Sequence, residues 1–242
     1  MFYKYETHLH TAEVSKCASS TAEETVHAFK QAGYAGLIVT DHFVTENPDD
    51  YEGLSWDETV AAFCKGYELA KAAGDRAGLQ VFFGWEMPSY PRCEDYLVYG
   101  LGREFLLAHP ELATLTISEA SPLIRQSGGL IVRAHPYREA SYIAKPAQVE
   151  PGIIDGIEVN NGRSDDPDNF NEKAWAYARS HADLIRTAGT DIHETKFAGV
   201  SGMAFPYPLR DIAHFTEALQ AGDGLLIVDG TVVDREGGFA EK

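Results

Sequence analysis

The sequence predicts a barrel-like α/β domain, and three observations lead to this prediction. Short apolar runs alternate with longer segments of helical periodicity along the chain. Several of these runs are rich in valine, isoleucine and phenylalanine, which is typical of parallel strands buried on both faces. Seven or eight strand–helix units in 242 residues favour one barrel over two smaller domains, so we expect a single domain over residues 1–242.

The predicted strands are the short apolar runs. An open, doubly wound sheet is the alternative arrangement of the same units. The first run is followed by His-x-His and lacks the Gly-x-Gly-x-x-Gly turn that nucleotide-binding sheets of that class carry. The predicted strands are residues 2–5, 36–40, 79–83, 96–101, 129–133, 153–159, 184–188 and 225–228.

Capping signals predict where the helices begin. Ser20 and Thr21 each precede a glutamate by three residues, which predicts a capping box, and Gly33 would end that helix. Pro122 is expected in the first turn of a short helix that begins at Ser121. The other predicted helices span residues 55–74, 168–182 and 209–221, and the predicted loops span residues 136–151 and 160–168.

The chain is strongly acidic. It has 20 Lys and Arg residues against 37 Asp and Glu residues, a formal net charge of −17. Such a surface repels polyanions, which excludes general binding to duplex DNA, RNA or anionic membranes. A small phosphorylated substrate stays compatible with this charge if local cations or metal ions hold it.

The cysteines and the apolar runs indicate the compartment. Cys17, Cys64 and Cys93 include no Cys-x-x-Cys pair and are too few for a disulfide framework, which indicates a reducing environment. The first residues lack the apolar run of a signal peptide, and no run approaches the roughly 18 residues that span a bilayer. We therefore expect a cytoplasmic protein with no membrane partner.

Side chains that can bind metal follow the predicted strands at the points where the strands end. The carboxyl ends of parallel barrel strands meet at one mouth, so residues distant in sequence would share a site there. Residues spaced i and i+2, as in His-x-His and Asp-x-His, lie on one face of a strand. The strand-end residues are His8, His10, Asp41, His42, Glu86, His135, Glu158, Asn160, Asp191 and His193.

Imidazole and carboxylate together suit Zn, Mn or Fe, whereas Mg and Ca prefer oxygen ligands alone. A carboxylate such as that of Glu86 can bridge two ions through its two oxygens. A single strand-end histidine is more often structural than a ligand, but five of the nine histidines lie at strand ends, which favours a metal site. The other four, expected to be structural, are His27, His109, His181 and His214.

The ordered set of motifs resembles the PHP family, named for polymerase and histidinol phosphatase. The motifs are His8-x-His10, Thr40-Asp41-His42, the strand-end Glu86, Ala134-His135-Pro136 and Asp191-x-His193. Each motif alone is weak, but the ordered set is specific and covers nearly the whole chain. The resemblance implies a distorted seven-stranded (β/α) barrel with its metal site at the C-terminal strand ends. It also implies two or three divalent ions and hydrolysis of phosphate esters.

The resemblance further implies how the ligands divide among the metal sites. One site would comprise His8, His10, Glu86 and Asp191, a second would comprise His135 and the bridging Glu86, and a third would include His42 and His193. Asp41 would orient its neighbours without binding an ion.

The sequence departs from the fullest family pattern in two places. Three-metal members have a further ligand shortly after His-x-His, where residues 13–17 of this chain read Glu-Val-Ser-Lys-Cys. They also have a histidine before the Ala-His-Pro motif, where the nearby candidates here are Glu94 and Asp95. Completion of the third site, and of the second by Asp95, is therefore open.

Four further side chains are candidates for the site. Lys16 could hold a phosphate oxygen, and a solvated loop lysine is the alternative. Arg138 and Arg163 could bind phosphate through paired hydrogen bonds, and a surface role is the alternative for each. Cys17 could be a soft metal ligand, although a small buried residue is the more common role for a cysteine.

The predicted activity is metal-dependent hydrolysis of a phosphomonoester or phosphodiester on a small metabolite or nucleotide. Neighbouring ions would lower the pKa of a bridging water, and the resulting hydroxide would attack phosphorus. Arg138 or Lys16 would stabilise charge on the phosphoryl oxygens, and Asp191 or His193 would handle protons. The alternatives are a metal-dependent amidohydrolase or lactonase, and a non-catalytic metal-binding module.

Overall fold

The computed structural model describes residues 1–89, 92–141, 143, 152–163 and 169–239. Within these ranges the chain has a mixed α/β fold with strands in two sheets. The strands are β1 (Tyr3–Glu6), β2 (Gly36–Val39), β3 (Gln80–Phe83), β4 (Trp85–Ser89), β5 (Glu94–Tyr99), β6 (Leu130–Arg133), β7 (Gly156–Asn161), β8 (Ile185–Gly189), β9 (Gly202–Phe205), β10 (Leu225–Val228) and β11 (Thr231–Val233). The helices are α1 (Ala22–Gln31), α2 (Trp56–Phe63), α3 (Lys65–Ala77), α4 (Arg103–Ala108), α5 (Ile117–Gln126), α6 (Asn171–Ser180) and α7 (Ile212–Ala221).

The two sheets have six and five strands. The first has the order β11-β10-β9-β1-β2-β3, with β1, β2 and β3 parallel and β9 antiparallel to β1. The second has the order β4-β5-β6-β7-β8, with β5 antiparallel to both neighbours and β6, β7 and β8 parallel. The prediction of an α/β fold is confirmed, and the antiparallel strands show that the sheets are not uniformly parallel.

The sheets meet at two isolated bridges. Gly84 alone separates β3 from β4, and the bridge between His42 and Glu86 continues the register that pairs Val39 with Phe83. A second parallel bridge joins Leu9, after β1, to Ile192, after β8. In the described residues the predicted barrel therefore takes the form of two sheets joined at these two places, and its closure stays a prediction.

Local capping signals account for several helix starts. Thr21 and Glu24 form the predicted capping box of α1, and Ser55 and Glu58 form that of α2. The helix predicted over residues 55–74 is wrong in two respects. It is divided at Cys64, where a ψ of −3° departs from the helical value, and its second part continues to Ala77.

The helix predicted to begin at Ser121 is also corrected. The helix α5 begins at Ile117, four residues before Ser121, because Thr116 and Glu119 form a complete capping box. Pro122 consequently lies inside the helix rather than in its first turn. The predicted loops over residues 136–151 and 160–168 lie partly outside the described residues, as does the predicted start of the helix at residue 168.

Helix α3 packs closely against the carboxyl ends of the first strands. A Cβ atom at Gly66 would lie 2.1 Å from Thr11 Oγ1 and 2.6 Å from Asp41 Oδ2, so only glycine permits this approach. Both polar residues are buried.

Among the helices of the described ranges, none is both long enough and apolar enough to cross a bilayer.

We expect Gly66→Ala to destabilise the protein by about 1–3 kcal/mol, because the methyl group would collide with Thr11 and Asp41. This loss would occur although alanine favours a helix interior by about 1 kcal/mol. Urea unfolding followed by circular dichroism, with chelator present throughout, measures the change. Gly152→Ala is the control, since no atom lies within 4 Å of its Cβ position. An unchanged unfolding midpoint for Gly66→Ala would contradict the packing argument.

Candidate metal centre

A cavity of about 460 Å³ lies at the carboxyl ends of the central strands. The side chains that line it come from β4 and β5 of the second sheet and from loops that follow strands of both sheets. Its lining includes ten of the residues singled out in the sequence: Lys16, Cys17, His42, Glu86, Asp95, His135, Arg138, Arg163, Asp191 and His193.

Glu86 lies at the floor of this cavity among four imidazole rings. Its Oε1 lies 3.2 Å from His8 Nε2 and 3.2 Å from His135 Nε2. Its Oε2 lies 3.2 Å from His10 Nε2 and 3.0 Å from His42 Nδ1. Each carboxylate oxygen is thus shared by two nitrogens, an arrangement that would let Glu86 bridge two cations.

Asp191 lies on the other side of His8 and His10. Its Oδ1 is 3.5 Å from His8 Nε2 and 3.2 Å from His10 Nε2, and its Oδ2 accepts a hydrogen bond from Arg138 Nη2 at 2.5 Å. The backbone of Asp191 has a φ of 55°, and that of His135 has a φ of 23°. Positive φ is costly for residues other than glycine, so the surrounding structure holds the backbone of both residues in a strained conformation.

The predicted ligands form three overlapping sets. Within each set, the donor atoms all lie within 4.8 Å of one another. His42 Nδ1 is buried and has no hydrogen-bond partner among the described residues, although Glu86 Oε2 is close to it. An imidazole nitrogen so placed fits a bound cation. The sets are His8, Glu86 and His135; His8, His10 and Asp191; and His10, His42 and His193.

The electrostatics of the centre keep its carboxylates ionised. Burial alone would raise the pKa of Glu86, but the charges of His8 and His42 hold it well below its usual range. Burial likewise opposes ionisation of Asp191, whose pKa Arg138 and His8 hold well below the usual range. Burial would lower the pKa of His8 and of His42, but the neighbouring carboxylates raise both well above the ordinary value. Divalent ions would take the place of these imidazole protons, so binding would release protons.

Glu158, the third residue of β7, supports two of the predicted ligands. Its Oε1 accepts a hydrogen bond from His8 Nδ1 at 3.0 Å, and its Oε2 accepts one from the backbone N–H of His135 at 2.9 Å. A metal-binding histidine commonly donates its second ring N–H to a carboxylate in this way. The sequence placed Glu158 at a strand end but did not distinguish a supporting carboxylate from a ligand.

Asp41 and Ser15 fix the orientation of His10. Asp41 Oδ1 accepts hydrogen bonds from the backbone of Thr11 and from Ser15 Oγ, each at 2.7 Å. Ser15 Oγ lies 3.1 Å from His10 Nδ1, which leaves His10 Nε2 facing Glu86 and Asp191. The orienting role expected for Asp41 thus has a direct structural path through a serine that sequence reasoning did not single out.

Glu6 joins the two strands that carry the i, i+2 pairs. Its Oε1 accepts hydrogen bonds from the backbone of His8 and of Thr190, both at 2.8 Å, and its Oε2 accepts one from the Thr190 hydroxyl. It therefore ties the end of β1 to the end of β8 beneath His8 and Asp191. Its spacing of two residues before His8 is the sequence signal that could have indicated Glu6.

The remaining candidates take separate positions around the cavity. Lys16 Nζ forms an ion pair with Asp50 Oδ1 at 2.6 Å and is largely exposed. Asp95 Oδ2 lies 3.8 Å from His135 Nε2, and burial and the charge of Glu86 raise its pKa to about 7. Arg163 Nη1 lies 3.9 Å from Asp191 Oδ2. The three sets formed by the described residues leave out His27, His109, His181 and His214.

Cys17 lies beside the third set. Its Sγ is 3.0 Å from His193 Nε2. Burial would raise the pKa of this thiol, but the neighbouring imidazole rings of His193 and His42 outweigh burial and lower it to about 5.

Comparisons with known proteins show the fold. No family profile matches the chain, and no curated protein matches it in sequence. Over 96% of its length the chain superposes on 66% of a two-domain protein from Bacteroides vulgatus that contains a predicted PHP-like metal-dependent phosphoesterase, with a TM-score of 0.67 and 14% identity. It also superposes on a candidate metal-dependent phosphoesterase from Bifidobacterium adolescentis, covering 90% of this chain and 96% of that one, with a TM-score of 0.55 and 15% identity.

A further neighbour is an amidohydrolase from Chromobacterium violaceum, whose structure contains bound sulfate. The alignment covers 89% of this chain and 96% of that one, with a TM-score of 0.53 and 17% identity. The likenesses therefore show a PHP-like fold that these phosphoesterase and amidohydrolase structures share. Three groups of side chains in this chain could hold metal ions.

Proposed function

We propose that this protein is a metal-dependent hydrolase that acts on phosphate esters. The observation that carries the proposal is the position of Glu86, whose two oxygens each lie 3.0–3.2 Å from two imidazole nitrogens. A carboxylate shared in this way suits two divalent ions held side by side, and paired ions are typical of hydrolases that cleave phosphate esters.

We propose that two or three ions of Zn, Mn or Fe bind here, since imidazole and carboxylate donors suit these ions best. When bound, the ions would supply an activated water and positive charge against the phosphoryl oxygens. The finer fold proposal is a distorted seven-stranded barrel, which the bridges of His42 to Glu86 and of Leu9 to Ile192 support. The proposed ligands are His8, His10, His42, Glu86, His135, Asp191 and His193, and Asp95 is a candidate at the edge of the second set.

Arg138 is the residue we assign to the phosphate group. It is buried, and hydrogen bonds to Asn169 Oδ1 at 2.7 Å and Asp191 Oδ2 at 2.5 Å fix its guanidinium at the cavity wall. A cation already in position loses little freedom when the reaction develops negative charge. Arg163 lines the same wall and Lys16 lies at the rim, so both extend the positive side of the cavity.

Asp191 and His193 are the two candidates for proton transfer. Asp191 Oδ1 faces His8 and His10, which favours a ligand role for this carboxylate. His193 Nδ1 donates to the backbone oxygen of Asp191 at 2.8 Å, so its Nε2 presents a lone pair. That nitrogen can bind an ion or accept a proton, and only one of these roles at a time.

The amidohydrolase neighbour favours a second candidate function, hydrolysis of an amide or lactone at the same ions. Both activities would use the same ligands, so the ligands alone do not separate them. Arg138 and Arg163 beside the cavity favour a substrate with a negatively charged phosphoryl group. Turnover measured on a panel of phosphomonoesters, phosphodiesters and lactones distinguishes the two candidates, and turnover of lactones alone would reject the phosphoesterase proposal.

We expect the double variant His8→Ala/His10→Ala to lose both bound metal and phosphatase activity, the activity by more than about 100-fold, because both removed rings face Glu86 and Asp191. Elemental analysis and a phosphomonoester assay on the same preparation measure the two losses. The matched control is His27→Ala/His214→Ala, which removes two helical histidines outside the ligand sets. Wild-type activity in a metal-free double variant would refute the mechanism.

We expect Glu158→Gln to weaken metal affinity by about 10–100-fold without unfolding the protein. The amide can no longer accept hydrogen bonds at both positions, so His8 Nδ1 or the backbone of His135 loses its partner. Competition with a chromophoric chelator measures the affinity. Glu111→Gln is the control, because Glu111 is exposed and contacts His109 instead. Equal affinities in the two variants would show that Glu158 does not support the ligands.

A further inference from the structure

Three histidines form the outermost of the ligand sets. The donor nitrogens of His10, His42 and His193 lie within 4.8 Å of one another. The ring centroid of His10 lies 4.3 Å from that of His42 and 4.6 Å from that of His193. The set is next to the cavity, since His42 and His193 both line it.

A sulfur atom faces this set. Cys17 Sγ lies 3.0 Å from His193 Nε2. Cys17 lines the cavity together with both histidines. Two atoms that bind one zinc ion at about 2.0 and 2.3 Å lie roughly 3–4 Å apart, which matches the nitrogen–sulfur distance here.

The ring of His193 is oriented as a ligand. Its Nδ1 donates to the backbone oxygen of Asp191 at 2.8 Å, so the hydrogen of the neutral ring is at Nδ1 and the lone pair of Nε2 faces Cys17. A backbone carbonyl in this position is a common support for a metal-binding imidazole.

The loop that carries Cys17 is anchored on both sides of the sulfur. Before it, Ser15 donates a hydrogen bond to Asp41 Oδ1 at 2.7 Å and accepts one from the backbone N–H of His42 at 3.1 Å. After it, the backbone N–H groups of Ser19 and Ser20 donate to the oxygen of His193 at 2.9 and 3.2 Å. The position of Cys17 beside His193 is therefore fixed by the loop that carries it.

We propose that Cys17 provides a thiolate ligand to a third divalent ion, which it binds together with His42 and His193. The inference rests on the proposed function, because it adds an ion to the same centre. A thiolate is a soft donor, so this position would prefer Zn, Fe or Co over Mn or Mg. The ion at this position would then differ in chemical type from those that Glu86 and Asp191 bind.

Cobalt substitution tests the proposal, because a thiolate bound to Co²⁺ gives a charge-transfer absorption band that nitrogen and oxygen ligands do not give. We expect the cobalt-loaded wild-type protein to show this near-ultraviolet band. Cys17→Ser is expected to lose the band and one bound cobalt ion per chain. Cys93→Ser is the matched control, because Cys93 lines the same cavity, and it is expected to retain both.

A second variant provides a rescue test. Cys17→Asp replaces the soft donor by a hard one, so we expect it to restore the third ion when manganese is supplied and to show no charge-transfer band with cobalt. Retention of the band in Cys17→Ser, or its loss in Cys93→Ser alone, would overturn the assignment of Cys17.

The measurements also separate this inference from the proposed function. Wild-type protein that binds cobalt and hydrolyses phosphate esters without a thiolate band would overturn the role of Cys17 and leave the proposed function standing. Wild-type protein that binds no cobalt, zinc, manganese or iron would overturn both proposals.

Discussion

Glu86 places a buried carboxylate among four imidazole rings, and the arrangement of the whole centre depends on that placement. A buried charge costs several kcal/mol unless opposite charges or hydrogen-bond donors surround it. The surrounding rings follow β1, β2 and β6, which belong to both sheets. Glu86 can therefore be buried at low cost only when all these strand ends converge. Formation of the fold and formation of the candidate centre therefore depend on the same convergence of strand ends.

The acidic residues of the chain have a different effect at the cavity than at the surface. The net charge of −17 argues against polyanionic partners. The cavity lining contains four carboxylates, Glu46, Glu86, Asp95 and Asp191, against three cationic side chains, Lys16, Arg138 and Arg163. Carboxylates are nearly balanced in number by lysine and arginine side chains before any ion binds, so bound divalent ions would shift the pocket towards positive charge. A small phosphate ester is then compatible with a chain whose formal net charge is −17.

The sequence was most informative where the relevant interactions are local. Capping boxes involve residues three apart, so the starts of α1 and α2 could be predicted from Thr21 and Ser55. The i, i+2 pairs could be placed on one face because side chains alternate between the two faces of a strand. The division at Cys64 and the interior position of Pro122 were missed, because packing and a competing capping box decided them.

Residues that support the ligands were harder to predict than the ligands. Glu158 lies within β7 as Glu86 lies within β4, and only the direction of its side chain makes it a partner of His8 Nδ1 rather than a bridging group. Glu6 and Ser15 also bond Thr190 and Asp41, which are distant in sequence, and no spacing rule identifies these partners. The short antiparallel strand β9 and the edge strand β11 likewise depend on pairing with distant segments.

The single residue Gly84 between β3 and β4 makes one stretch of chain a member of both sheets. The pairing of Val39 with Phe83 and the bridge of His42 to Glu86 share one register. A slip by one residue in the first sheet would turn the Glu86 side chain to the opposite face. The amount of bound metal would then indicate what fraction of the chains is correctly folded. Only a chain whose two sheets have paired in the correct register presents a complete set of the proposed ligands.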